Sequence, residues 1–288
     1  MHNTNNTRKN IEQLTSFQRL LFGITKKICT FAQKLNMIPK IIHYCWLGEG
    51  DYPPLVKKCI QSWKDNLPGW ELRLWDKSCL KEVDIPWVKE AYQAKVYSHA
   101  SDYIRLYAVY KYGGFYLDTD VEVIKDFSPL LNFEYVLGIE NSDRKYIEAG
   151  TFGAHAGNKF LYKCMESYHN RHFIKEDGTF DYSYIIPNIM KQNIEAISIL
   201  ENLSDYQVEN SSIQVFAPIF FSPKNCDTSK FDQLTKETFS IHHFRGSWFP
   251  LNMRINRFVW KHLSNRQAHF VQNSYQTIKS FLLHKSFN

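Results

Sequence analysis

The chain has 288 residues, with 44% hydrophobic and 22% charged side chains. That is ordinary globular usage, and it excludes a disordered tail, a collagen-like fibre or a bare coiled coil. The formal net charge of +6 combines unlike parts. Residues 1–40 hold seven Lys or Arg against Glu12 alone, residues 251–288 hold six with no acid, and the stretch between has 22 basic and 28 acidic residues. A nucleic-acid binder concentrates positive charge on its folded core, so nucleic acid is not an expected partner. Two basic arms suit either an anionic membrane surface or solvated helix faces.

In chain order, residues 1–10 are polar and read as disordered. Ile11, Leu14, Phe17, Leu21, Ile24, Ile28, Phe31 and Leu35 then recur at three-to-four spacing, which predicts an amphipathic helix over 11–35. No run of 18 apolar residues occurs, so a spanning helix is not expected. After Pro39, Ile41 to Trp46 reads as a buried strand ending at Gly48, Pro53-Pro54 opens a helix to about Asn66, and Trp70 to Trp75 alternates as a second strand. A long helix over about 97–112 stops at Gly113-Gly114, followed by a strand at Phe115 to Leu117 and another at Val121 to Ile124. Further strands are predicted at Tyr135 to Ile139, Ile147 to Ala154, Ile213 to Phe216 and Ser240 to Phe244. Helices are expected over about 158–170, 183–196, 252–263 and 266–284, and 197–238 reads as otherwise irregular. Strands alternating with helices predict an α/β sheet. Cys29, Cys45, Cys59, Cys79, Cys164 and Cys226 form no CxxC pair, and the N-terminus has no signal-peptide pattern. Both features suit free thiols in a reducing cytosol.

Four local patterns carry chemistry. In Gly113-Gly114-Phe115-Tyr116-Leu117-Asp118-Thr119-Asp120 a strand ends on two carboxylates two residues apart. On extended backbone both face one side. They repel one another unless a cation sits between them. Ligand crevices of open α/β sheets lie beyond such strand ends. Asp102 and Arg105, at i and i+3, share a helix face. They form either an ordinary ion pair or a carboxylate for sugar hydroxyls steadied by a guanidinium that also reaches a ligand. In Ile241-His242-His243-Phe244-Arg245-Gly246-Ser247-Trp248 the adjacent imidazoles point to opposite faces, so one alone can meet the acids. Trp46, at the end of the first strand, is either core or a stacking face for a base.

In this order and spacing the patterns resemble glycosyltransferase family 32, the DxD sugar-binding and capsular-polysaccharide transferases. More distantly the chain is similar to the glucosylating toxins and to initiating mannosyltransferases. The resemblance runs through Ile38 to Gly48, Ser98 to Arg105, Tyr112 to Val121 and Ile241 to Trp248. It implies an α/β GT-A (Rossmann-like) catalytic domain over 38–250. An N-terminal arm, 1–37, and a C-terminal helical segment, 251–288, flank it. It also implies a nucleotide-sugar donor, Mn2+ (or Mg2+), and a glycan or lipid-linked oligosaccharide acceptor in surface (capsular or lipopolysaccharide) synthesis. Anomeric configuration would be retained. Carried over by position, Trp46 stacks on the base, Tyr116 borders the donor, and Asp102 meets donor hydroxyls with Arg105 beside it. Asp118 contacts ribose and metal, Asp120 is the main metal ligand, and Ser247 and Trp248 close over the diphosphate. His243 is the implied third ligand, with His242 left open by the doubled histidine.

The donor implied is a uridine-diphospho sugar, and the location is cytoplasmic, with the arms in peripheral contact with the membrane. Two other readings compete. A dehalogenase-like phosphohydrolase also uses a DxD after a strand, but Glu122 interrupts its pattern and no downstream Asp-Asp follows. A non-catalytic carbohydrate-binding protein on a transferase fold would be expected to have lost a metal acid, and both are present here.

Overall fold

The computed structural model describes residues 37–142, 145–207, 212–228, 230–231 and 234–246, with Leu263, Ser264, Gln267, Phe270 and Val271. The chain divides into two units, Met1–Met37 and Ile38–Asn288, and only Met37 of the first is among the described residues. The helix expected over 11–35, most of the two helices expected over 252–263 and 266–284, and Ser247 and Trp248, expected at the donor, lie outside them.

The second unit is built on a seven-stranded sheet ordered β2-β1-β3-β6-β5-β8-β7. Its strands are β1 (Ile41–Cys45), β2 (Glu71–Trp75), β3 (Gly114–Leu117), β5 (Tyr135–Ile139), β6 (Ile147–Ala154), β7 (Ile197–Leu200) and β8 (Ile213–Phe216). Every neighbouring pair is parallel except the two involving β6. The predicted α/β class therefore forms. A separate ribbon pairs β4 (Val121–Val123) with β9 (Ser240–His242) antiparallel, so the last predicted strand leaves the main sheet and stops two residues early. The α-helices among the described residues are α1 (Pro54–Asn66), α2 (Pro86–Gln93), α3 (Tyr97–Tyr112), α4 (Lys159–Glu166), α5 (Ile186–Gln192) and the short α6 (Pro218–Phe221). Neither α2 nor β7 is visible in the hydrophobic spacing. Strand β7 has only four residues, with Ile197 and Ile199 exposed at the sheet edge.

Side chains alternate across β3. Phe115 and Leu117 enter one apolar layer with Trp63, Phe127, Phe216 and Phe239, while Tyr116 enters the opposite layer with Trp87, Ile104 and Phe152. The aromatic surplus is thus spent largely on a core flanking the sheet, Trp63, Trp87, Phe115 and Phe152 being wholly buried. Cys45, Cys59, Cys79 and Cys164 are buried thiols without disulfides. Burial pushes Cys59, Cys79 and Cys164 up to about 12. They are inert packing groups.

The glycine pair after α3 is a steric requirement. Gly113 and Gly114 take φ of +66° and +103°. A Cβ would stand 2.7 Å from Pro39 Cδ at the first and 2.6 Å from the Ile41 carbonyl oxygen at the second. Only glycine reverses the chain this tightly while letting β3 lie beside β1.

One buried imidazole ties these parts together. His43 on β1 is fully buried, with Nε2 2.8 Å from the Gly113 carbonyl oxygen and Nδ1 3.1 Å from the Trp75 Nε1–H. The carbonyl demands a donor and the indole an acceptor, so the ring is neutral with its proton on Nε2. Burial lowers its pKa to about 4. An unfolded His43 takes up a proton near pH 6.5 that the folded one refuses until about pH 4. The stability it contributes is therefore complete above pH 6.5 and fades by about 3 kcal/mol as pH falls to 4. Urea titrations at pH 7 and 5 should show about 2 kcal/mol of this loss in the parent and a reduced one in His43→Gln. Trp75→Phe, which leaves Nδ1 without a donor, should cost about 1–3 kcal/mol at pH 7, and an unchanged midpoint would contradict this.

Candidate metal centre

Asp118 lies one residue past β3. Its backbone N–H donates to the Gly150 carbonyl on β6 at 2.8 Å, and its own carbonyl accepts from Val121 N–H at 2.9 Å, which turns the chain into β4. Helix α1 fastens β4. Trp63 Nε1 donates to the Val121 carbonyl, Asn66 Nδ2 to the Val123 carbonyl, and Ser62 Oγ accepts the Val123 N–H. The ribbon partner β9 sets Val121 opposite His242. The short turn Asp118-Thr119-Asp120 is therefore held from β6, α1 and β9 together.

Asp118 and Asp120 each already have a protein cation. Arg105 on α3 donates through Nη1 to Asp118 Oδ2 at 3.2 Å and to the Ala149 carbonyl at 2.9 Å. Its Nη2 meets Asp102 Oδ1 at 3.2 Å and Ser101 Oγ at 3.1 Å, and its Nε–H points at the Ser101 carbonyl. The guanidinium also lies 4.7 Å over the Tyr116 ring, whose hydroxyl donates to Asp118 Oδ1 at 3.0 Å. Four of its five N–H groups are thus hydrogen-bonded within the protein, and the guanidinium is ion-paired with Asp102 besides. Among the described residues Arg105 holds the two carboxylates in place. Burial pushes the Asp102 carboxyl up to about 7 despite Arg105, with Asp118 adding to the rise.

Asp120 Oδ2 accepts the Arg245 N–H at 2.7 Å, and its Oδ1 lies 3.4 Å from His242 Nε2. On the other side of that ring, Nδ1 is 2.9 Å from Glu148 Oε1. Burial disfavours both ions, yet the pairing prevails. It holds the His242 pKa well above its usual value, through Glu148 and Asp120, and the Asp120 carboxyl well below. His243 turns the other way. Its Nε2 is 2.8 Å from Glu122 Oε2, which Lys58 also meets, while its backbone N–H donates to the Asp120 carbonyl. The expected third ligand His243 is therefore corrected to His242. His242 ends β9, its register with β4 sets it opposite Val121 and beside Asp120, and His243, just past the strand, turns to Glu122.

Ligand atoms of Asp118, Asp120 and His242 lie within 4.8 Å of one another. Two carboxylates and one imidazole suit Mn2+ better than an all-oxygen Mg2+ site, so the donor set fits a divalent cation. Trp46 lies at the same end of the sheet, since β1 pairs His43 with Tyr116 and runs parallel to β3. Its ring is edge-on to Tyr52 at 5.0 Å, and its buried Nε1 has no hydrogen-bond partner among the described residues.

Sequence reading missed Glu148 and Gly150. A glycine inside the apolar run of β6 was the available signal. A Cβ at Gly150 would stand 2.6 Å from His242 Cε1 and 2.8 Å from Glu148 Oε1. Gly150→Ala must displace the ring and is expected to cost about 1–3 kcal/mol by overpacking. Urea denaturation in chelator measures this, and a midpoint equal to the parent's would refute the close approach.

Residues 53–137, which include Asp102, Arg105, Tyr116 and the DxD, match the family described as "Glycosyltransferase sugar-binding region containing DXD motif". That segment is similar to DXD-type sugar-binding regions. Two Schizosaccharomyces pombe proteins share further sequence with the chain. Inositol phosphoceramide mannosyltransferase 3 is 31% identical over 141 residues, 48% of this chain and 39% of that protein. Inositol phosphoceramide mannosyltransferase 1 is 24% identical over 157 residues, 51% and 49% respectively. The chain thus spans less than half the length of either. Among solved structures, PaToxG Glycosyltransferase superposes with a TM-score of 0.42 at 18% identity, covering 61% of this chain and 78% of that one. The likeness to glycosyltransferases thus lies in the DXD segment and in about half of the chain.

Proposed function

We propose that the protein is a metal-dependent glycosyltransferase that moves a hexose or N-acetylhexosamine from a nucleotide-sugar donor to a hydroxyl of a glycan acceptor. The observation that carries this reading is the convergence of His242, from β9, on Asp118 and Asp120, the two acids of a segment that matches a DXD-type sugar-binding region. A divalent cation held by these three would act as a Lewis acid on the diphosphate as it leaves. The chain's own residues do the rest. Arg105 keeps Asp118 and Asp102 in fixed positions, and Asp102 offers a carboxyl oxygen to donor hydroxyls. Trp46 supplies a flat face for the base, and its unpaired Nε1–H suits an acceptor atom on the donor. No nucleophile for a double displacement stands out. The reading is therefore front-face attack with retention: the acceptor oxygen bonds the anomeric carbon as the bond to the diphosphate breaks. The hydroxyl proton passes to the departing diphosphate.

A uridine-linked donor is the first choice on the sequence resemblance. The relatives' names favour a mannosyl donor as the second reading. Thermal shifts with a panel of nucleotide sugars, followed by donor-hydrolysis and transfer assays with Mn2+ or chelator, test both. The expected result is turnover of one nucleotide sugar in Mn2+ and none in chelator. Tighter binding of GDP than UDP in Mn2+ would select the mannosyl reading, and binding without any hydrolysis would select a carbohydrate-binding protein. Release of phosphate from sugar phosphates would select a phosphohydrolase. We further propose that the basic arms dock on the inner, anionic membrane leaflet beside lipid-linked acceptors, at roughly 1 kcal/mol per basic residue near the surface. Flotation equally poor with anionic and neutral liposomes would overturn that.

A further inference from the structure

The feature left unexplained by the proposed transfer is Glu148. It lies in β6 with no solvent exposure, and its Oε2 is buried with no hydrogen-bond partner among the described residues. A buried carboxylate with an orphaned oxygen works against stability. The other oxygen, Oε1, accepts the Gly150 N–H at 2.7 Å and meets His242 Nδ1 at 2.9 Å. Position 150 is kept clear of a Cβ at that spot. The His242 ring is stacked by Phe244, with centroids 3.9 Å apart and planes 27° from parallel. Everything touching this imidazole limits its orientation.

We propose that Glu148 is a positioning residue that fixes the tautomer and the aim of His242 toward a cation at Asp118 and Asp120. This rests on the metal reading above. Because Oε1 already accepts the Gly150 N–H, it meets Nδ1 as an acceptor, and Nδ1 must carry the hydrogen. A cation would then take the place of the second ring proton on Nε2, the nitrogen facing Asp120 at 3.4 Å. Metal-binding histidines are commonly held this way by a carboxylate on the far nitrogen, and losing it costs 10–100-fold in affinity. Glu148, with no sequence neighbour among the ligands, reaches the site only because β6 lies between β3 and β5 in the sheet.

The test measures Mn2+ binding to the full, chelator-treated chain by the electron paramagnetic resonance of free Mn2+. Glu148→Met is expected to weaken affinity by about 10–100-fold, while melting in chelator at or above the parent temperature. Glu148→Gln, which keeps an acceptor oxygen for Nδ1–H, is expected to regain most of that loss. A folded Met variant that binds Mn2+ as the parent does, or a Gln variant as weak as Met, overturns the proposal. An independent readout needs no variant at 148. In 15N-histidine-labelled parent protein with Mg2+, the His242 signal, assigned by its absence in His242→Gln, is expected as the Nδ1–H tautomer. An Nε2–H tautomer overturns the proposal. Failure of the parent itself to bind Mn2+, with or without a nucleoside diphosphate, would instead overturn the metal reading on which this one stands.

Discussion

Asp120→Ala is expected to abolish sugar transfer, by at least about a thousand-fold, while the chain still folds. Each 1.36 kcal/mol off a barrier is worth tenfold in rate. A Lewis acid contributes several kcal/mol to a departing diphosphate. Asp120 is the carboxylate whose Oδ1 faces His242 Nε2, so removing it breaks the ligand set at its centre. The substitution also has a structural side. Two clustered aspartates would repel if unpaired, yet Arg105 meets Asp118 and His242 meets Asp120. Losing Asp120 therefore forfeits an ion pair and the hydrogen bond from the Arg245 N–H. Because the carboxyl is held well below its usual pKa, its contribution is present at neutral pH and disappears as the solution is acidified. Melting in chelator should fall modestly at pH 7, with the difference from the parent narrowing toward pH 3. Parental transfer rates in the purified variant would end the metal assignment.

Arg105→Met is expected to be the most damaging single change to stability, at about 3–5 kcal/mol. Arg105 is 6% exposed and Asp102 7%, so loss of the guanidinium leaves the buried Asp102 carboxyl, and the half-buried Asp118 carboxylate beside it, without their cation. It also leaves Ser101 Oγ and the Ala149 carbonyl without their donor. Arg105→Lys keeps the charge but cannot span four acceptors from one point, and it should recover only part of the loss. Urea denaturation at pH 7 ranks the three proteins. A Met variant within about 1 kcal/mol of the parent would mean the network is solvated rather than buried.

Much of the site was legible because its parts are local. A helix that ends on Gly113-Gly114, a four-residue buried strand and two acids at its tip are all contiguous, so hydrophobic spacing and turn chemistry place them together. Asp102 and Arg105 are likewise one helical turn apart, and their pairing at 3.2 Å follows from that spacing. The same locality explains why β5, β6 and β8 are found where alternation and apolar runs predict them. Helix α2 and strand β7 escaped because eight and four residues offer too little periodicity to read.

What the sequence by itself determined, then, is the α/β class, the DxD at a strand end and the requirement that one of two adjacent histidines turn inward. Which histidine, and what steadies it, was decided only by tertiary structure. The pairing of Val121 with His242 is a contact across more than a hundred residues, and nothing within His242-His243 distinguishes the two rings. Glu148 meets His242 from a third strand, across a gap that Gly150 leaves open. Strand alternation specifies that neighbours face opposite ways, but the register between distant strands, set by the core packed beneath them, specifies which way each one faces.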